Sequence, residues 1–349
     1  MNETALPLQG IKVLDLSRHL PAPLAGLFLA DMGAEVLKIE DIRSPDPIRL
    51  YPPFIGNESV YFLALNRNKS CLSFDFRSEQ GKSDFLELLA TADIVIESFR
   101  AGILQQIGID YATARTINRR IIYVSVTGYG QSGTLAGHDL NFLAKSGVLS
   151  LNLDAENRPI IPTFQLADVA GGTYPALNAC LLALYRREKT GEGCHIDVAI
   201  TDNLLPLLAL PLAVAQVNSE QESLQQNRLL SGGLPNYNLY RCADDRYVAL
   251  AALEPKFWRN FCQAAQHEEW ENELMSGNMH DILTNFFAQH ESHYWQSIFE
   301  PVDCCFSLVN NLSNILQAPT VEQHQLLVHQ PIANKDFKTL RYPIRFVEA

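Results

Sequence analysis

Short apolar runs alternate with longer stretches of helical period through the first half of the chain. Ile11-Lys12-Val13-Leu14-Asp15-Leu16 is an apolar run that stops at Ser17. The Pro-started segment Pro23 to Met32 follows, and then Glu35-Val36-Leu37-Lys38-Ile39-Glu40, which together make a strand, helix, strand unit. The alternation repeats, with Ser70 to Phe74 extended, Glu79 to Ala90 helical, Asp93 to Glu97 extended, Ile103 to Ile107 helical and Ile121 to Val126 extended. Such alternation predicts an α/β fold with a mostly parallel sheet covered by helices.

The second half changes character. From Gly171 to Lys189 the apolar positions Leu177, Cys180, Leu181, Leu184 and Tyr185 recur at helical spacing, and Gly191 after the basic last turn is a C-cap signal. A second long helix is predicted over much of Val198 to Gln216. The polar stretch Asn218 to Asn227 and the loop Ser231-Gly232-Gly233-Leu234-Pro235 then read as a boundary. Beyond it, Tyr237 to Tyr240 and Tyr247 to Leu253 flank Ala243-Asp244-Asp245-Arg246 as in a hairpin, and Pro255 to Glu271 reads as helix. The division expected is a large α/β domain from 1–195 and 325–349, linker helices over 196–225, and a small α+β domain over 226–324.

Composition narrows the function classes. With 349 residues, 47% of them hydrophobic, the chain is that of a globular protein with a substantial core. A formal charge of −12 argues against nucleic-acid and membrane partners, so an anionic ligand needs a local basic pocket. The seven cysteines include no C-x-x-C pair, and Cys304 and Cys305 are adjacent; this suits neither a disulfide framework nor a metal site, and fits a reducing, cytoplasmic setting. Met1 to Gln9 has no basic segment followed by an apolar one, and Asn203 to Val217 is too short and Pro-interrupted to span a bilayer.

Chemistry is concentrated in a few segments. Gly128-Tyr129-Gly130-Gln131-Ser132-Gly133 matches G-x-G-x-x-G after a predicted strand, but it falls late in the alternating region and runs into Thr134 to Gly137 instead of a helix. It reads equally as a turn that lets a ligand approach the backbone. His138, in Gly137-His138-Asp139-Leu140-Asn141-Phe142, sits where the helix macrodipole keeps an imidazole neutral and able to accept a proton; a structural histidine in that turn fits as well. Asp168, before Gly171 and Gly172, fits an N-cap, and it also fits a carboxylate held ionised at a helix start with glycines that admit a substrate. Glu254 ends the run Ala251-Ala252-Leu253-Glu254-Pro255, either as a strand-end charge or as a group that orients an imidazole. Arg67, Lys69 and Arg100 lie at strand ends, where open α/β sheets bind ligands, and as a group they can offset the acidic field around a phosphate. No Walker A sequence, G-x-S-x-G elbow or H-E-x-x-H is present.

Several segments in order carry a family resemblance. Gly10 to Arg18 and Leu29 to Glu40 resemble the opening of the family III CoA-transferase superfamily of CaiB/BaiF type, which includes the α-methylacyl-CoA racemases. Leu65-Asn66-Arg67-Asn68-Lys69-Ser70, Asp93 to Arg100, Thr127 to Gly133, the Asp168 segment, Arg187 to Gly193 and Gly232 to Tyr237 extend the likeness over nearly the whole chain. Two departures stand out: Asp41-Ile42-Arg43 replaces a basic residue and Pro, and Gln105-Gln106-Ile107-Gly108 lacks a common Arg. Arg43 is then the residue that compensates for the first.

The resemblance implies a large Rossmann-like domain joined by long helices to the small one, in an interlocked homodimer. It implies that Asp168 is either the nucleophile of a transferase or one half of a racemase acid/base pair. His138, in its racemase-type segment, is the other half, and Glu254 is a hydrogen-bond partner of the imidazole. Arg67, Lys69, Arg43 and Arg100 are expected to hold the nucleotide end of coenzyme A. Leu65, Asn66 and Asn68, with Tyr129 and Gly130, are expected along the ligand, and Gly137, Asp139, Leu140, Asn141 and Phe142 along the thioester channel. The substrate is then an acyl-CoA thioester, with no metal or nicotinamide and no cofactor beyond the coenzyme A it carries. The expected activity is epimerisation of a 2-methyl-branched acyl-CoA, which belongs to lipid metabolism. The alternatives are CoA transfer through an aspartyl thioester at Asp168 and a non-catalytic CoA-binding protein.

Overall fold

The computed structural model describes residues 6–154 and 156–346. The chain divides into two compact units, one of 1–208 with 320–349 and one of 209–319. In the first unit, β1 (Lys12–Asp15), α1 (Pro21–Asp31) and β2 (Glu35–Asp41) come first. The short strands β3 (Phe54–Ile55) and β4 (Glu58–Ser59), α2 (Val60–Asn66), β5 (Lys69–Phe74) and α3 (Glu79–Thr91) follow. After them come β6 (Ile94–Glu97), α4 (Ile103–Ile107), α5 (Tyr111–Ile117), β7 (Ile122–Thr127) and α6 (Asp139–Ser146). Then α7 (Tyr174–Thr190), β8 (Cys194–Ala199) and α8 (Ile200–Leu204) complete the part that carries the site.

The main sheet has six strands in the order β5-β2-β1-β6-β7-β8, every pair parallel. This is the doubly wound order, which reverses between β1 and β6. The central strand β6 shows why it needs helices on both sides: Ile94, Val95 and Ile96 are all fully buried. Ile94 and Ile96 face a core shared with Ala22, Ala25 and Leu29 of α1 and Leu177 and Cys180 of α7. Val95, with Tyr123 of β7, faces a second core filled by Phe85 and Leu89 of α3 and by Ala114 of α5. Gly191 ends α7 with φ +73°, as the C-cap signal predicts.

The run from Val198 to Gln216 is not one helix. Cys194–Ala199 is the edge strand β8, and the helical run after it is broken into α8, a 3₁₀ turn over Leu205–Leu208 and a helix over Ala209–Ala215. Strand register places β8 in the sheet: Ile196 and Val198 pair beside Val124 and Val126 and share their core, while His195 and Asp197 face the other side. Pro206 and Pro211 interrupt the helical ladder thereafter. The polar stretch read as a boundary carries a helix, Glu220–Arg228.

The second unit holds the hairpin β9 (Tyr237–Arg241) and β10 (Tyr247–Ala251), which β11 (Phe306–Leu308) extends to three antiparallel strands. An aromatic core of Trp258, Phe261, Phe287, Trp295 and Phe299 packs against this sheet. The helix over Pro255–Ala264 ends earlier than its period suggests, and a 3₁₀ turn over Glu268–Asn272 takes up the rest. Among the described residues no helix is long and apolar enough to cross a membrane.

Candidate active site

The carboxyl ends of β1, β6, β7 and β8 open onto a cleft of about 420 Å³. Arg18 and His19 enter it from the turn after β1, Ser98 to Ala101 from the loop after β6, and Thr127 to Gly130 from the loop after β7. The cleft therefore lies at the point where the strand order reverses, the place at which open parallel sheets bind ligands. His138 and Asp168 line this same cleft.

His138 is the N-cap residue of α6, and its backbone N–H donates to Asn141 Oδ1 at 3.1 Å. The residue before it must be glycine. A Cβ on Gly137 would lie 2.6 Å from Tyr129 Oη and 2.8 Å from the Phe142 ring, and those two rings meet edge to face with centroids 5.3 Å apart. Gly137 thus lets the loop close over the Tyr129–Phe142 pair and bring the imidazole to the cleft.

Asp168 is not an N-cap. The helix begins at Leu166, so Asp168 is already inside it, at the first residue of a π-turn over Asp168–Thr173 that runs into α7. Such wide turns are frequent at functional sites. Gly171 and Gly172 serve packing here and not ligand access: both are buried, and Cβ atoms on them would lie 2.6 Å from Ile200 O and 2.7 Å from Pro21 Cβ.

The charge state of Asp168 also differs from the one its helix position predicts. Burial, followed by the nearby charge of Asp139, pushes its carboxyl up to about 7. Burial outweighs the helix dipole, and Asp139 already meets the helix start, with its Oδ1 accepting the Asp168 backbone N–H at 2.9 Å. Burial raises Asp139 as well. Two carboxyls in one partly dry place disfavour double ionisation.

Of the ligand residues expected from the resemblance, Arg100, Tyr129, Gly130, Gly137, Asn141 and Phe142 line the cleft. Arg100 is exposed, and its side chain forms no ion pair or hydrogen bond among the described residues, so its guanidinium is open to an anion. Other expected residues have partners of their own. Arg67 holds Asp31 through both terminal nitrogens and reaches Leu340 O at 2.9 Å, with its side chain 2% exposed. Lys69 is fully buried and donates to Asp15 Oδ2 at 2.8 Å, Pro23 O at 2.7 Å and Asn66 Oδ1 at 2.9 Å. These bonds leave neither cation free to reach a phosphate.

Asn68 binds Asp31 at 3.1 Å, Leu65 is buried beside Phe62 and Ile48, and Arg43 pairs with Asp75. Leu140 is exposed on α6. Glu254 belongs to the second unit, where it is the exposed N-cap residue of the helix over Pro255–Ala264.

Sequence reasoning missed Arg18, His19, Ser98 and Phe99, all lining the cleft. The available signal was position: both pairs sit in the loops just after parallel strands. It also missed Glu97, buried at the end of β6 and raised to about 7 by that burial, whose carboxylate accepts the Phe99 N–H at 2.7 Å and so fixes the loop that carries Arg100. Arg18 is turned toward Ser44 O at 2.6 Å and lies 4.7 Å from the Phe99 ring centroid. The cleft thus carries local positive charge in an acidic protein. Among the described residues no group of three or more His, Cys, Asp or Glu side chains is placed to hold a metal ion.

Comparisons with known proteins agree with this architecture. The human succinyl-CoA:glutarate CoA-transferase is 30% identical over 92% of this chain and 76% of its own length. The human α-methylacyl-CoA racemase is also 30% identical, over 89% of this chain and 80% of its own. A CaiB/BaiF family protein from Brucella suis superposes with a TM-score of 0.82 at 27% identity, covering 99% of this chain and 94% of that one. The family model for CoA-transferase family III matches residues 8–349, and the chain belongs to that family.

Proposed function

We propose that the protein exchanges the α-proton of a 2-methyl-branched acyl-CoA thioester, and so epimerises that carbon. The observation that carries the reading is that His138 and Asp168 line one cleft while the Asp168 carboxyl is raised to about 7, able to donate or accept a proton near neutrality. One group removes the α-proton and the electron pair moves onto the thioester oxygen. The other group returns a proton to the opposite face of the planar enolate. Arg18 and Arg100 at the cleft supply cations for the anionic coenzyme A handle.

The reading is tested by incubating 2-methylacyl-CoA epimers in deuterated water. Expected is deuterium at the α-carbon and loss of stereochemistry with a single substrate. Tight acyl-CoA binding with neither exchange nor CoA transfer to an added acid would leave a binding protein.

A second reading, CoA transfer to a free acid through a thioester on Asp168, is favoured by the equal likeness to a CoA-transferase. The two differ in pH dependence. A transferase nucleophile must be ionised, so kcat/KM rises as pH passes through about 7 and then stays level. A proton-exchanging pair must hold one proton between its two members, so kcat/KM falls on both the acid and the alkaline side. A bell-shaped profile for exchange is the expected result.

The reading includes a homodimer. Leu182 and Tyr185 stand on α7 at 68% and 63% exposure, an apolar face that a second copy can cover. Light scattering is expected to give twice the chain mass, and a monomer at micromolar concentration would remove this part of the proposal.

A further inference from the structure

We propose that His19 donates the hydrogen bond to the thioester oxygen on which negative charge builds during the reaction. The inference rests on the α-proton exchange reading but is not confined to it, because a transferase builds charge on the same oxygen in its tetrahedral intermediate.

Part of the case for a side-chain donor lies in the backbone around Asp168. Helix-start amides beside the reacting carboxyl are the usual source of an oxyanion site. Here the Asp168 N–H is bound to Asp139 Oδ1 at 2.9 Å and the Val169 N–H to Gln165 O at 3.1 Å. Gly171 and Gly172 are packed against Ile200 and Pro21. The Asp168 and Val169 amides are therefore committed, and a Cβ-free approach at Gly171 and Gly172 is closed by packing.

His19 is placed to fill that gap. Its ring lines the same cleft as His138 and Asp168 and meets the His138 ring edge-on, with centroids 6.2 Å apart. Its backbone is held at φ +65°, a conformation uncommon for a residue with a side chain. Asp46 maintains it: Oδ1 accepts the His19 N–H at 3.1 Å, and the fully buried Asp46 carboxylate is itself fixed by Lys38 at 3.3 Å. An over-determined, unfavourable backbone is a common mark of a residue whose side chain is being aimed.

The surroundings also select the neutral ring. Burial lowers the pKa of His19, and His138, Arg18 and Lys38 act in the same direction against Asp46. A neutral imidazole donates its N–H and keeps its proton. When the α C–H bond breaks, the proton goes to His138 or Asp168 and the electron pair to the oxygen facing His19. On reprotonation the pair returns to carbon, and His19 is unchanged.

The test compares His19→Leu with His19→Gln, which keeps an N–H donor; neither substitute is β-branched, so both meet the same backbone constraint. Steady-state α-proton exchange with 2-methylacyl-CoA is measured, and CoA affinity by calorimetry reports folding. Expected is a fall of about 10²–10³-fold in kcat for His19→Leu, with KM and CoA affinity nearly unchanged and much of the loss restored in His19→Gln. A His19→Leu protein with wild-type kcat, or equal losses in both variants with KM moving alongside, overturns the proposal. Should the wild-type protein exchange no proton but form a hydroxylamine-trappable species, the exchange reading fails, and the same comparison is read on the trapping rate. A wild-type protein that does neither overturns both.

Discussion

Asp168→Asn is expected to lower turnover by about 10²–10⁴-fold in either reaction open to this cleft, while CoA affinity stays within about twofold. The size follows from losing a group that must both take and give a proton, or must attack as a nucleophile. The selectivity for turnover follows from local geometry. Asn has the shape of the neutral carboxyl that Asp168 presents below about 7, and its backbone N–H can still donate to Asp139. His138→Gln separates the two reactions. In proton exchange the imidazole is the only partner proposed for the opposite face, so His138→Gln should match Asp168→Asn. In CoA transfer it need not. Exchange into deuterated water, read by NMR for wild type and both variants, is the measurement; full exchange by Asp168→Asn would remove Asp168 from the chemistry.

The parallel sheet was legible because its signal is local and repeated. Ile94-Val95-Ile96 can only be a strand buried on both faces, and the helix periods between such runs fix the alternation. β8 was not legible because Cys194–Ala199 mixes polar and apolar residues and leads without punctuation into an apolar helical run. Only pairing with β7 reveals its two faces. At the site, His138 could be placed at a helix start from Gly137 and the period of α6. The proton affinity of Asp168 could not, since it depends first on burial and then on Asp139, and both arise only in the fold. The same limit applied to the cations. Lys69 and Arg100 look alike in a sequence, yet one is enclosed by Asp15 and the other is open to solvent, because β5 joins β2 at the sheet edge and turns Lys69 beneath α1.

That enclosure carries the largest stability effect expected in the molecule. Lys69 and Asp15 are both fully buried, with Nζ and Oδ2 2.8 Å apart. Burial pulls the Lys69 ammonium down to about 8, against the pull of Asp15. For Asp15, burial alone would raise the carboxyl, and Lys69 with Lys38 reverses that. The α1 backbone closes the pair from above, since a Cβ on Gly26 would lie 2.9 Å from Asp15 Oδ2 and 3.3 Å from Lys69 Nζ. Removing one member strands a buried charge, which costs about 3–5 kcal/mol. Lys69→Met and Asp15→Asn should each shift urea unfolding by that order. The double variant should be less damaged than the sum of the two, because no charge is then left alone. If Lys69→Met unfolds at the wild-type urea concentration and loses CoA affinity instead, the ammonium leaves this pair for the nucleotide in solution, and its structural role here is wrong.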